Sequence, residues 1–280
     1  MSDLDALRDK LRSYGSCLVA YSGGVDSTFL ACVALQALGD RCVAAIADTP
    51  SLPRRELERA LALAERLGLK VRIVHTGEFG NPDYLANPPD RCYFCKRGLF
   101  IELGRLARSE GLAVLLHGEN ASDAGDDRPG ARAALELDVR APLKELGFTK
   151  DRIRSCSAEL GLPTADQPAS ACLTTRIPYG ERVTLEKLRM IEQAENALHD
   201  LDFVEFRVRH HELPPIEGGR PRALARIEVV PGELGRLLQD GRHARIAEQL
   251  KAAGYQHVTL DLQGYRRGGA NLGPPNPKAG

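Results

Sequence analysis

Residues 17–27 read Cys17-Leu18-Val19-Ala20-Tyr21-Ser22-Gly23-Gly24-Val25-Asp26-Ser27. The apolar run Cys17–Ala20 predicts a buried strand, and a helical pattern beginning near Thr28 follows it. A strand, a glycine turn and a helix N-terminus together make an anion site. Backbone N–H groups point outward there, and the helix dipole favours negative charge. Gly23 and Gly24 permit the sharp turn and the close approach of a ligand. Ser22 and Ser27 add hydroxyl donors. Asp26 would repel a bare phosphate, so its presence implies a bridging cation, most simply Mg²⁺. The turn lacks the lysine of a Walker ending and the third glycine of the dinucleotide fingerprint. On these residues alone an ordinary glycine-rich strand–helix turn stays open.

Working outward, Leu4, Leu7 and Leu11 put an amphipathic helix over residues 4–14. A second buried strand, Cys42–Ala47, ends at Asp48. Pro53 opens a helix with Leu57, Ala60, Leu61, Ala64 and Leu67 as its apolar stripe, and Gly68 closes it. Val71–Val74 is a third strand, residues 76–90 a loop, and a helix starts after Cys92 and runs to about Arg108. Ala113–Leu116 is a fourth strand, ending in His117-Gly118-Glu119-Asn120. Strands alternating with helices predict an α/β fold with a parallel sheet covered on both faces. Ligands in such sheets sit beyond the carboxyl ends of the strands. The loops there are 22–27, 48–51, 75–78 and 117–130, and the glycine turn is the first of them.

A glycine- and proline-punctuated stretch (118–147), a helix (149–160) and a loop (161–183) follow. From Thr184 the pattern changes. Thr184 can cap a helix whose stripe is Leu185, Leu188, Ile191 and Leu198, although Lys187 stands where a capping box wants Glu or Gln. Alternating residues then predict strands at 204–209, 223–229 and 258–262, with a helix near 233–252 between the last two. The expected organisation is a parallel-sheet domain at 1–183, a smaller α+β domain at 184–266 and a disordered tail at 267–280.

The 280 residues carry 38 basic and 38 acidic side chains, so the net charge is zero. Proteins that grip nucleic acid usually carry a basic excess, so the balance argues against a nucleic-acid substrate. The N-terminus lacks a basic start before an apolar core, and no apolar run is long enough to span a bilayer. A cytoplasmic chain is expected. Its seven cysteines then read as thiols, ligands or catalysts rather than as a disulfide framework. Cys17, Cys32, Cys42 and Cys156 fall in apolar patterns and read as core. Cys92-Tyr93-Phe94-Cys95 sits at a loop-to-helix junction among Arg91, Lys96 and Arg97, where a thiol pKa would fall. It reads as a redox pair, half a metal site, or chance. No second Cys/His pair at zinc spacing accompanies it. Three thiolates, from Cys92, Cys95 and Cys172, would suit a 4Fe–4S cluster with one iron open. Cys172, near Arg176, also reads as a nucleophile or sulfur source, or as a plain loop cysteine.

Ser22-Gly23-Gly24-x-Asp26-Ser27 resembles the PP-loop of the ATP pyrophosphatases, which cleave ATP to AMP and pyrophosphate. The wider pattern is similar to the LarE-type ATP-dependent sulfur transferases of nickel-pincer nucleotide cofactor synthesis. It includes Arg91-Cys92-Tyr93-x-Cys95-Lys96, Gly118-x-Asn120-x-x-Asp123, Asp127-Arg128-Pro129-Gly130, and Ala171-Cys172-Leu173-x-x-Arg176-Ile177-Pro178-Tyr179-Gly180. Ala141-Pro142-Leu143, Arg207-Val208-Arg209, Ala225-Arg226-Ile227-Glu228 and Asp261-Leu262-Gln263-Gly264-Tyr265 complete it.

The resemblance implies a PP-loop domain that adenylates a carboxylate of pyridinium-3,5-biscarboxylic acid mononucleotide. A sulfur nucleophile then displaces AMP and leaves a thiocarboxylate. In one branch the cysteine matching Cys172 gives up its sulfur and becomes dehydroalanine; in another a three-cysteine cluster delivers bound sulfide. The presence of Cys92 and Cys95 favours the cluster branch. By the same resemblance Ser22, Gly23, Gly24 and Ser27 hold the pyrophosphate portion, with Asp26 on Mg²⁺. Ala47 to Ser51 frames adenine or ribose, Asn120 and Asp123 line the reacting end, and Arg176 steadies the adenylate or the substrate phosphate. Arg207, Arg209, Glu195 and Glu228 match positions for substrate phosphate and metal. From pattern alone, Arg207 and Arg209 share one strand face, which suits a phosphate or else ion pairs with Glu205 or Glu228. A homo-oligomer, as large as a hexamer, is also implied. A PP-loop tRNA thiolase and a non-catalytic nucleotide or iron–sulfur module are the competing readings; neutral charge weighs against the first.

Overall fold

The helix after the glycine turn is apolar on every side, and that decides where it sits. In the computed structural model, which describes residues 2–125, 129–168, 171–216 and 222–266, it runs from Val25 to Leu38. Val25, Phe29, Leu30, Val33, Ala34 and Leu38 are all buried. A helix without a polar stripe must be covered all round. Asp126, Asp127, Arg128 and the expected tail at 267–280 lie outside the described residues.

The chain divides into two compact units at the Ala171–Cys172 junction. The first contains α1 (Asp3–Ser13), β1 (Cys17–Ala20), α2 (Val25–Leu38), β2 (Cys42–Asp48), α3 (Arg54–Arg66) and β3 (Val71–His75). It continues with α4 (Pro82–Leu85), α5 (Arg91–Ser109), β4 (Val114–Leu116), α6 (Pro129–Glu136), α7 (Pro142–Glu145) and α8 (Lys150–Glu159). The strands are parallel in the order β3-β2-β1-β4. Alternate residues of β1 go to opposite faces. Cys17 and Val19 join a core with Leu7, Leu11, Phe29, Ala44 and Ile46, while Leu18 joins one with Val43, Ala45, Phe100 and Leu103. This is the doubly covered parallel sheet that the alternation of strands and helices predicts. Cys17, Cys32, Cys42 and Cys156 are buried.

Two helix starts differ from the sequence reading, and both matter for the site. α2 begins at Val25 rather than near Thr28, because Gly24 takes extended backbone (φ −81°, ψ 167°) and its carbonyl accepts the Thr28 N–H at 2.9 Å. α5 begins at Arg91, so Cys92 and Cys95 both lie inside its opening turns. The loop at 76–90 holds α4, where Asn81 caps a helix with Pro82 at its first position. The stretch 118–147 likewise holds α6 and α7.

The second unit contains α9 (Leu185–His199), β5 (Phe206–Leu213), β6 (Arg222–Val229), α10 (Leu234–Leu238), α11 (Arg242–Ala252) and β7 (His257–Leu260). Its sheet order is β5-β6-β7, with β5 antiparallel and β7 parallel to β6. Thr184 caps α9 by accepting the Lys187 N–H at 3.2 Å. The helix expected over 233–252 is two helices, because Asp240 (φ 53°) and Gly241 (φ 71°) turn left-handed between them. Leu198, Phe203, Phe206, Val208, Ile227, Val229 and Leu250 form the core. Segment 172–183, assigned to the first domain in the sequence reading, is grouped with this unit, since Thr175 and Arg176 bond to β5 and α9. Among the described residues no helix is long and apolar enough to cross a membrane.

His210 lies in this core, 2% exposed, with its Nδ1 3.3 Å from the Tyr255 hydroxyl. Burial, helped by the Lys187 charge, pushes its pKa down from 6.5 to about 4. Between those values the unfolded chain binds a proton that the folded chain refuses, so stability falls as pH falls through that window. His117, also lowered to about 4, adds to the same slope. The melting temperature is expected to drop from pH 6.5 to pH 4. His210→Phe should make that drop shallower, as read by calorimetry across the window.

Candidate active site

The glycine turn packs tightly on itself. The Ser22 N–H donates to Ser27 Oγ at 3.1 Å, the two hydroxyls lie 3.0 Å apart, and Ser27 Oγ donates to the Gly24 carbonyl at 3.2 Å. Gly23 is left-handed (φ +72°), and a Cβ there would lie 2.5 Å from the Ala60 Cβ of α3. Gly24 is the N-cap of α2 and makes no side-chain cap bond. The first-turn N–H groups of a long buried helix therefore face the turn without a capping side chain.

The strand order reverses between β1 and β4, which leaves a crevice at their carboxyl ends. The loop after β4 enters that crevice. A Cβ on Gly118 would lie 3.0 Å from the Ser27 nitrogen and 3.3 Å from the Asp26 Cβ, so only glycine lets this loop lie on the start of α2. Asp26 Oδ2 accepts from Lys150 Nζ at 2.7 Å, while its buried Oδ1 has no partner among the described residues. Asn120 is buried; its Oδ1 accepts from Ser122 N–H at 3.0 Å, and its own N–H donates to Asp123 Oδ2 at 3.2 Å. Ser122 Oγ in turn accepts the Lys150 N–H at 2.9 Å. Asp26, Asn120, Asp123 and Lys150 thus form one connected corner. His117, one residue before Gly118, is kept neutral by burial and by the charges of Lys96 and Lys144, and faces the Phe100 ring edge-on.

Near the end of β2, Ala47 pairs with Val74 of β3. Ser51 is buried, with its hydroxyl 2.7 Å from that of Thr49. Arg54 holds the loop by pairing with Asp48 and donating to the Thr49 and Leu52 carbonyls at 2.6 and 2.9 Å. At the start of α5, buried Arg91 donates to the Asn87 side chain at 2.5 Å. Cys92 is exposed and Cys95 half-buried.

In the second unit, half-buried Cys172 caps a short 3₁₀ turn, Leu173–Arg176. Arg176 is buried and pairs both ways with Glu195 of α9: Nε to Oε1 and Nη2 to Oε2, each 2.9 Å. Its Nη1 donates to the Cys172 carbonyl at 3.0 Å. Burial alone would lower the Arg176 pKa, but the Glu195 charge and hydrogen bonds hold it above its usual value. Arg209 is also buried and pairs with Glu228 (3.0 Å), which accepts from Arg226 as well (3.0 Å). Arg207 lies over the Tyr265 ring at 4.8 Å and donates to the Phe206 carbonyl at 2.6 Å. Burial, and then the nearby Arg176 charge, lower its pKa. Among the described residues no group of three or more His, Cys, Asp or Glu side chains is gathered to hold a metal ion.

Lys150 and Gly118 did not stand out in the sequence as partners of the turn. Lys150 is 124 residues from Asp26, and no spacing links the two.

The sequence profile of the NAD synthase family matches residues 2–80. An uncharacterised protein of Synechocystis is 42% identical over 96% of this chain and 97% of its own length. The pyridinium-3,5-bisthiocarboxylic acid mononucleotide synthase of Lactiplantibacillus plantarum is 34% identical over 90% of this chain and 88% of its own. The glutamine-hydrolysing GMP synthase of Aeropyrum pernix is 32% identical over 64% of this chain and 38% of its own.

Gly23→Ala would combine a left-handed φ with overlap on Ala60. It is expected to destabilise the first unit by about 1–3 kcal/mol. Gly15→Ala, left-handed but with open space around it, should cost only about 1 kcal/mol. Denaturant unfolding of the two variants checks the difference.

Proposed function

The chain belongs to the LarE-type family of ATP-dependent sulfurtransferases in the PP-loop superfamily, and from that premise we propose that it converts pyridinium-3,5-biscarboxylic acid mononucleotide into its thiocarboxylate. The carrying observation is the corner at the start of α2. First-turn N–H groups without a side-chain cap, two serine hydroxyls and Lys150 meet there beside a buried carboxylate oxygen that has no partner among the described residues. Ser22, Gly23, Gly24 and Ser27 bind the phosphates of ATP. The unpartnered Asp26 oxygen suits a Mg²⁺ ion, a hard cation that takes oxygen ligands and neutralises phosphate charge. Ala47 and Ser51 border the nucleoside, and Asn120 and Asp123 the reacting end.

The chemistry needs activation because a carboxylate is a poor acceptor. A substrate carboxylate oxygen attacks the α-phosphorus of ATP, and pyrophosphate leaves. Sulfur then attacks the acyl carbon, and the C–O bond to AMP breaks. In the second unit Cys172 is the thiol beside the arginine cluster, and Arg207 is the guanidinium with no carboxylate pair among the described residues, so it suits the substrate phosphate. Cys92, Cys95 and Cys172 would be the residues to hold a 4Fe–4S cluster, which would supply bound sulfide as the nucleophile; without a cluster the Cys172 thiol itself would supply the sulfur. Donor chemistry supports the cluster, since these three thiols lie outside the core while the other four cysteines are buried. A homo-oligomer completes the reading.

Protein purified without oxygen is expected to contain iron and acid-labile sulfide, both lost in Cys92→Ala, with the intact mass unchanged after one turnover. Loss of one H₂S equivalent at Cys172 would instead assign the sulfur to that side chain. No pyrophosphate from ATP with the carboxylated substrate would overturn the proposal.

A further inference from the structure

The family resemblance points Glu195 and Glu228 toward metal. The second unit uses them differently. Glu195 is 7% exposed and Glu228 6%. Glu195 Oε1 accepts from Arg176 Nε at 2.9 Å and from the Val208 N–H at 3.1 Å, while Oε2 accepts from Arg176 Nη2 at 2.9 Å. Glu228 Oε2 accepts from Arg209 Nε at 3.1 Å and Nη2 at 3.0 Å, and its Oε1 from Arg226 at 3.0 Å. All four carboxylate oxygens already accept from cationic or backbone donors. A cation entering here would have to displace a guanidinium from a buried pair and leave that charge uncompensated, which is strongly unfavourable.

The other ends of both guanidiniums reach one short segment. Arg176 Nη1 donates to the Cys172 carbonyl at 3.0 Å and to Thr175 Oγ1 at 2.9 Å. Thr175 Oγ1 donates to the same Cys172 carbonyl at 2.8 Å. Arg209 Nη1 donates to the Thr175 carbonyl at 2.9 Å. The turn that carries Cys172 is therefore gripped at its first and fourth carbonyls. One grip is anchored through Glu195 on α9, the other through Glu228 on β6. A bidentate carboxylate fixes the plane of a guanidinium, so its remaining N–H groups point in one direction only. Net charge fits the same account: Arg176, Arg207, Arg209 and Arg226 face Glu195, Glu228 and Asp261, one positive charge in excess. With Arg176 and Arg209 tied to carboxylates, the excess falls on Arg207.

We propose that Arg176–Glu195 and Arg209–Glu228 are positioning pairs that fix the Cys172 backbone for sulfur transfer, and that Glu195 and Glu228 are not metal ligands. The proposal rests on the sulfur-transfer reading above. It gives the arginines separate roles, with Arg176 and Arg209 holding the turn and Arg207 meeting the anion. None of the four paired residues is a catalytic residue, because each acts through the backbone of the turn that carries Cys172, one pair at the Cys172 carbonyl and the other at the Thr175 carbonyl.

The test uses the full chain, wild type and the Glu195→Gln, Glu228→Gln and Arg176→Lys variants. Glu195→Gln keeps the shape but loses the charge; Arg176→Lys keeps the charge but loses the fork. Each variant should lower kcat for sulfur transfer at least tenfold, with the KM for ATP moving less than twofold. The rate of Cys172 alkylation by iodoacetamide, read by peptide mass spectrometry, should change at least threefold. The combined Glu195→Gln/Arg176→Lys variant should be no worse than either single change, since both remove one grip. Midpoints of Mg²⁺ and Mn²⁺ titrations should not move. A midpoint that moves more than tenfold, with activity restored by added metal, would overturn the proposal, as would an unchanged alkylation rate. If Glu195→Gln does not fold, Glu228→Gln carries the same comparison through the other grip. Absence of pyrophosphate formation by the wild type would remove the sulfur-transfer reading, while the alkylation rates would still decide whether the pairs fix the turn.

Discussion

The buried, uncapped start of α2 is the constraint on which the first unit depends. Ten of its residues are buried, so the helix cannot shift to find a better cap. Gly24 offers it no side chain, and the tight contacts at Gly23 and Gly118 bring α3 and the β4 loop against the same point. The unit therefore brings helix-start N–H groups that no side chain caps together with a carboxylate half-paired among the described residues. Those groups are costly to bury unless a ligand meets them. The sheet supplies rigidity, and the corner supplies the polarity that rigidity alone would not stabilise.

The second unit solves a related problem with charge rather than with backbone. In register, Arg207 stands opposite Glu228 and Arg209 opposite Arg226. Direct cross-strand pairing would leave two arginines facing each other. Glu228 instead reaches diagonally to Arg209 and also takes Arg226, while Glu195 comes in from α9 to take Arg176. Buried ion pairs add little net stability, but they set geometry when each oxygen is used. The geometry set here is that of the Cys172 turn. The alternative of ion pairs on the Arg207/Arg209 face holds in part, since Arg209 pairs with Glu228 while Arg207 lies on Tyr265.

Helix and strand patterns were legible because burial imposes period. The four parallel strands, the cap at Thr184 and the buried Cys17, Cys32, Cys42 and Cys156 all follow from local pattern. Starts and breaks were less legible. Gly24 as a cap, α5 starting at Arg91 and the break at Asp240–Gly241 depend on backbone angles that apolar spacing does not encode. The irregular stretches at 76–90 and 118–147 carried short helices that hydrophobic spacing could not resolve, because four to eight residues span too few turns to show a period.

By itself, the sequence determined the class of the fold, the place of the glycine turn on the first strand and the cysteines that stand apart from the core. Those properties are local: each depends on residue type and on neighbours a few positions away. Only the tertiary structure decided what the charged side chains do. Lys150 meets Asp26 from 124 residues away, and Glu195 and Glu228 reach arginines on other elements. An ion pair is fixed by distance in space and by burial, and neither is written in the spacing of charges along a chain.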